Sequence, residues 1–87
     1  MQTIRSYSLS PGVSSVSAPE GWRPLSLNWS NGSAQIGALI NPDVPYRSYT
    51  MLLVADEGHI PLGFDWAFIG SVLIPGTDNI VVYAFIA

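Results

Sequence analysis

The chain has 87 residues, a net charge of −3 and no cysteine, so it is short enough for one domain, and disulfides and thiolate metal sites are excluded. Charged residues make up only 10% of it, and the three cations are scattered arginines, which argues against a nucleic acid as partner. Apolar residues make up 48%, but no apolar run approaches the ~18 residues of a membrane-spanning helix, so no membrane partner is expected.

Turn-forming residues recur at short intervals along the chain, and no window of about a dozen residues shows uninterrupted helical periodicity. Short runs between regular turns are typical of all-β domains. We therefore predict one domain, residues 1–87, that folds as a small antiparallel β-sandwich or partly open barrel. It should contain about six or seven short strands and little or no helix.

The first half of the chain predicts four strands, at residues 3–9, 13–18, 24–29 and 34–40. The second of them is short and polar, which suits the edge of a sheet. In the third, alternation places Leu25, Leu27 and Trp29 on one face. Asn31-Gly32 then predicts a hairpin, because both residues tolerate the positive φ of a type I′ turn. Gly37, in the fourth strand, leaves room for a bulky neighbour or marks a bulge.

The second half predicts a long strand at 46–55, whose uniformly apolar end should be buried on both faces. A loop at 56–66 leads to a strand at 67–74, and a turn at 75–79 leads to the C-terminal strand at 80–87. The last two strands should pair as a hairpin. The C-terminal strand has no charge, Pro or Gly, so either the chain's own sheet or another subunit must cover it. The expected core is Leu25, Leu27, Ile36, Ala38, Ile40, Leu53, Ile69, Val72, Ile74, Val81, Val82 and Phe85.

The loop "DEGHIPLGFDW" contains the only histidine, His59, and three of the six acidic residues. No serine lies in a nucleophile-elbow motif, so a Ser-His-Asp site is not indicated. Asp56, Glu57 and Asp65 do not have the spacing of a calcium loop, although a cation bridging two subunits stays open. The glycines and proline favour a strand-to-strand crossover at one end of the domain. We therefore expect no enzyme and no cofactor, and expect His59 to contact a partner.

Aromatic side chains are numerous for so small a chain. Stacking platforms for bases also need a positive groove, which three scattered arginines do not provide. Trp and Tyr are common where one end of a side chain is apolar and the other is wet, as at protein interfaces. The residues expected to contact a partner are Trp22, Tyr46, Tyr49, His59, Trp66, Tyr83 and Phe85.

Six stretches occur in the order seen in an uncharacterised family of short tailed-phage proteins: "MQTIRSYSL", "APEGWRPLSL", "IGALINPDVP", "ADEGHIP", "FIGSVLIPG" and "IVVYAF". The chain resembles this family over nearly its whole length. The relatives' central loop reads Gly-Thr-Gly-His-Pro-Ile. Here Asp56 and Glu57 replace its first two residues, Gly58 and His59 match, and Ile60 and Pro61 come in reversed order. The resemblance implies a phage origin and a compact β fold, but no mechanism.

Two functions follow as expectations. The first is a non-enzymatic virion protein, a capsid cement or decoration subunit that binds the major capsid protein and sister copies of itself after assembly in the host cytoplasm. Low charge and a high apolar fraction favour such an assembly-bound role. The alternative is an early phage anti-defence protein that inhibits a host factor or sequesters a small signalling molecule.

Overall fold

The computed structural model describes residues 1–76 and 80–87, and all of its regular structure is β-strand. The strands are β1 (Thr3–Leu9), β2 (Gly12–Pro19), β3 (Arg23–Ser30), β4 (Ser33–Ile40), β5 (Tyr46–Ala55), β6 (Ala67–Leu73) and β7 (Val81–Ile86). Of the predicted turn at 75–79, only Pro75 and Gly76 belong to the described residues, and both lie in a turn.

The strands form two antiparallel sheets that are not closed into a barrel. One has the order β1-β4-β3 and the other the order β2-β5-β7-β6. The all-β prediction with about six or seven strands is therefore confirmed. The predicted edge position of β2 and the β6–β7 pairing are also confirmed.

The β3–β4 hairpin turns at Asn31 and Gly32, whose φ angles of 51° and 77° fit the predicted type I′ turn. Farther along the hairpin the register shifts between Pro24 and Ser26, so Leu25 is an extra residue in β3. Gly37 of β4 lies opposite Ser26 at this irregularity, and a Cβ on Gly37 would stand 2.9 Å from the Ser26 hydroxyl oxygen. The bulge predicted from Gly37 is therefore present, but it lies in β3 and not in β4.

Both sheets contribute to one hydrophobic core, whose largest fully buried members include Ile36, Ile40 and Met51. Three predictions for the core need correction. Leu25 is 53% exposed, because the bulge turns it away from the face that Leu27 shares. Phe85 is half-buried on the outer face of the four-stranded sheet, since it alternates with the buried Ala84. Val81, at the start of β7, is also only half-buried.

The predicted burial on both faces holds for Met51, Leu52 and Leu53 of β5, whereas Val54 is half-buried and Ala55 is exposed. β7 lies between β5 and β6, so its backbone is paired on both sides within this chain. Of the two covers expected for the C-terminal strand, the structure shows the chain's own sheet. Within residues 1–76 and 80–87, no helix has the length and apolar character needed to cross a membrane.

A candidate interaction surface on the β5–β6 crossover

The segment 56–66 connects two parallel strands of the four-stranded sheet. β5 and β6 both run antiparallel to β7, which lies between them, so this segment has to cross β7. The inner face of β7 carries the core residues Val82 and Ala84. The crossover therefore passes over the outer face. The crossover character was predicted, but its position is a face of the sheet rather than one end of the domain.

Three contacts fix the beginning of the crossover to the sheet. The amide of Asp56 donates to the carbonyl of Val81 over 3.2 Å, and the amide of Gly58 donates to the carbonyl of Ala55 over 2.9 Å. The Tyr83 hydroxyl donates to Oδ1 of Asp56 over 2.8 Å. This hydrogen bond raises the pKa of Tyr83 above its ordinary value, and desolvation and the carboxylate charge add to the effect.

Gly58 lies so close to β5 that a Cβ at this position would collide with the side chain of Val54 and stand 2.9 Å from the carbonyl oxygen of Ala55. Val54 alternates with the core residue Leu53, so it points to the outer face. The crossover thus folds back onto the outer face directly after β5. Leu52, which also points outward, is only 2% exposed, consistent with this cover.

The end of the crossover is closed by one hydrogen bond and one ring contact. The Trp66 indole nitrogen donates to the carbonyl of Pro61 over 3.0 Å. The rings of Phe64 and Trp66 lie 4.8 Å apart at an angle of 32°. Gly63 has a φ of 90°, which allows the chain to turn between Pro61 and Phe64. These contacts tie the tip of the loop to Trp66.

The closed tip presents apolar side chains to solvent. Leu62 is 95% exposed, and Ile60 and Phe64 are each exposed to nearly half of their area. Polar residues normally occupy such a position, since an exposed leucine gains nothing from hydrophobic burial. A fixed loop with an apolar tip is typical of a contact with another molecule.

The outer face of the four-stranded sheet continues this apolar character. The strand register places Val13, Leu52, Phe85 and Phe68 in one row across all four strands. Phe68 is 60% exposed, and its ring meets that of Phe85 edge-on at 5.6 Å. We call this row, together with the crossover tip, the apolar surface; its exposed members are Val13, Ile60, Leu62, Phe64 and Phe68.

The residues expected to contact a partner fall into separate places. Trp66, Tyr83 and Phe85 are half-buried at the apolar surface, and His59 is exposed on the crossover itself. Tyr46 is exposed elsewhere, where its hydroxyl accepts a hydrogen bond of 3.0 Å from Arg5. The structure therefore brings four of the seven together.

Trp22 and Tyr49 belong to an aromatic cluster in the core. The Trp22 ring lies 5.4 Å from that of Tyr7, edge-on, and 5.3 Å from that of Tyr49. Trp22 is 7% exposed, so the expectation that it contacts a partner is corrected. Tyr49 is half-buried and packs against the same core.

The apolar tip was missed in the sequence, although a signal was present. Ile60, Leu62 and Phe64 stand between prolines and glycines, in a segment that otherwise looks like a loop. Apolar residues at alternate positions normally pack on one face of a sheet, but these lie in a loop and have no such face to pack on.

A second feature is an open cavity of about 270 Å³ at one end of the sandwich. Its walls come from both sheets and include Leu9, Trp29, Leu53, Ile74 and Val82. Among the described residues, no charged side chain lines it, and Ser33 supplies the one hydroxyl. A lining of this kind suits an apolar group.

The described residues contain no group of three or more His, Cys, Asp or Glu side chains that could hold a metal ion. No protein-family model, curated protein or solved structure matches this chain. The apolar surface and the cavity are the two features of the described residues that bear on function.

Proposed function

We propose that this protein is a non-enzymatic phage structural protein, a cement or decoration subunit that stabilises the capsid shell. The observation that carries the proposal is the fixed, apolar tip of the crossover, with Leu62 95% exposed. The phage assignment rests on the family resemblance of the sequence. Low charge and an exposed apolar tip suit a chain that is permanently bound within an assembly.

The tip supplies the contact. Full burial of one leucine side chain contributes about 1.5–3 kcal/mol, and Ile60 and Phe64 add to the buried area. The Trp66–Pro61 hydrogen bond and the Phe64–Trp66 ring contact hold the tip before binding, so little conformational freedom is lost on docking.

Binding to the assembled shell and not to its free subunits stabilises the shell by mass action. The major capsid protein is the proposed partner of the tip, and sister copies are proposed neighbours on the same shell. The virion is accordingly the proposed location, after assembly in the host cytoplasm.

Mass spectrometry of purified virions tests this proposal, with Leu62→Ser and Leu25→Ser as a matched pair. Both leucines are exposed, but Leu25 lies in the other sheet. We expect Leu62→Ser to be depleted from particles and Leu25→Ser to be retained, while both proteins keep the same melting temperature. Absence of the wild-type chain from virions would overturn the proposal.

The cavity favours the alternative function, an early anti-defence protein that holds a small molecule or inhibits a host factor. The described residues of its walls carry no charged side chain, which matches an apolar ligand better than a nucleotide signal. Small-molecule mass spectrometry after denaturing the purified protein would support this alternative if one apolar compound is released in stoichiometric amount. Release of none would remove the small-molecule version.

A further inference from the structure

The two sheets have four edge strands, and two of them are irregular. In β3 the register shifts between Pro24 and Ser26, and in β6 it shifts between Phe68 and Gly70. Bulges and prolines are common means of preventing a foreign strand from pairing with an edge. The other two edges, β1 and β2, pair in unbroken register with their neighbours.

The direction of the free backbone groups of β2 follows from its pairing. The amide of Glu20 donates to the carbonyl of Pro45, one step beyond the Pro19–Tyr46 pair. In an antiparallel ladder, hydrogen-bonded and non-hydrogen-bonded pairs alternate. Even-numbered residues of β2 therefore bond to β5, and the backbone groups of Val13, Ser15 and Ser17 point away from the sheet.

The edge of β2 lacks the bulge, the charged side chains and the internal proline that usually prevent pairing with a foreign strand. Val13, Ser15 and Ser17 are exposed, the strand carries no charged side chain, and its only proline is the last residue. Exposed, uncharged and regular edges are templates for strand addition.

We propose that a second copy of this chain pairs with β2 in antiparallel orientation across a two-fold axis at Ser15. Val13 of one copy then faces Ser17 of the other, and Ser15 faces its own equivalent. These pairs exchange about six backbone hydrogen bonds and join two four-stranded sheets into one. The proposal specifies the contact between sister copies in the proposed function and is independent of capsid binding.

The second copy is favoured as the occupant because the strand is complementary to itself. The two-fold arrangement places serine against serine at the axis and brings no two charges of equal sign together. The same arrangement of β1 about Ser6 would place the Arg5 residues of the two copies on diagonal positions of one face, where like charges repel. This difference selects β2 over β1.

Two proline variants test the proposal. Ser15→Pro removes an outward amide from β2. Ser71→Pro is the matched control in β6. The Ile74–Ile80 hydrogen bond shows that the backbone groups of even-numbered residues in this part of β6 bond to β7. The amide of Ser71 therefore points away from the sheet, like that of Ser15. Sedimentation velocity from about 1 μM to about 1 mM should show a dimer whose dissociation constant rises at least about tenfold in Ser15→Pro only.

Two further measurements do not depend on how proline affects folding. Ser15→Lys places two like charges at the axis and should also raise the dissociation constant by about tenfold. Hydrogen exchange of the wild-type amides of Val13, Ser15 and Ser17 should slow as concentration rises, while that of Ser71 stays fast. A monomer at every concentration, or a dimer weakened by Ser71→Pro and not by Ser15→Pro, would overturn the proposal. Incorporation into virions is a separate readout, so the two proposals can fail independently.

Discussion

The hydroxyl of Tyr83 donates a hydrogen bond of 2.8 Å to Oδ1 of Asp56 and so ties the crossover to the central strand β7. The two residues are 27 positions apart in the chain, and their contact forms where the crossover leaves β5. This attachment lies at the start of the crossover that carries the apolar tip.

Replacing Tyr83 by Phe should loosen the crossover while leaving the sheets folded. The ring is kept, so packing on the outer face is preserved, but the hydrogen bond to Asp56 is lost. We expect faster cleavage within 56–66 in limited proteolysis and a small fall in melting temperature. Tyr46→Phe, which removes the hydroxyl that Arg5 contacts, is the control and should leave cleavage of the crossover unchanged.

The same contact predicts a pH dependence. The pKa of Tyr83 is raised above the ordinary value of 10.0, first by its hydrogen bond to Asp56. Since the folded state favours the protonated hydroxyl, this stabilisation is complete below about pH 10 and is lost as the pH rises through the higher folded pKa. Tyrosinate absorbance, taken as wild type minus Tyr83→Phe, should show the late titration. The corresponding difference between Asp56→Ala and the double variant Asp56→Ala/Tyr83→Phe should show this titration at lower pH. An unchanged titration curve would contradict the assignment of the raised pKa to the Tyr83–Asp56 hydrogen bond.

Gly58→Ala should destabilise the crossover through crowding. The added Cβ meets the side chain of Val54 and the carbonyl oxygen of Ala55. Forcing a methyl group into such a contact costs about 1–3 kcal/mol. Chemical denaturation should show this loss, and the additional change Val54→Ala should restore part of it, since the backbone contact with Ala55 persists. Full stability of Gly58→Ala would show that the segment can move away from β5.

Local rules made most of the fold predictable. Proline and glycine mark the strand ends, and Asn31-Gly32 specifies its turn by backbone preference alone. Trp22 was assigned to an interface on the general preference of Trp for positions that are apolar at one end and wet at the other. Its burial depends on Tyr7 and Tyr49, which come from other strands. Such distant partners are not visible in a local pattern.

The candidate surface was only partly predictable for a related reason. The charges of "DEGHIPLGFDW" are local and visible, and they lie in the same segment as the apolar tip. Its apolar tip becomes meaningful only once β7 is known to lie between β5 and β6, because that order sends the crossover over the sheet. Strand order is set by pairing between distant segments.

Leu25 and Leu27 provide a direct test of the bulge in β3. Simple alternation places both in the core, whereas the structure leaves Leu25 53% exposed and Leu27 only 8% exposed. Leu27 also packs against β6, where a Cβ on Gly70 would lie 3.4 Å from the Cβ of Leu27. Leu27→Ala should therefore cost about 2–5 kcal/mol of unfolding free energy, and Leu25→Ala should stay within about 0.5 kcal/mol of wild type. Urea denaturation of both variants measures the two values. Equal losses would mean that β3 keeps a regular register in solution, and a larger loss for Leu25→Ala would reverse the assignment of its faces.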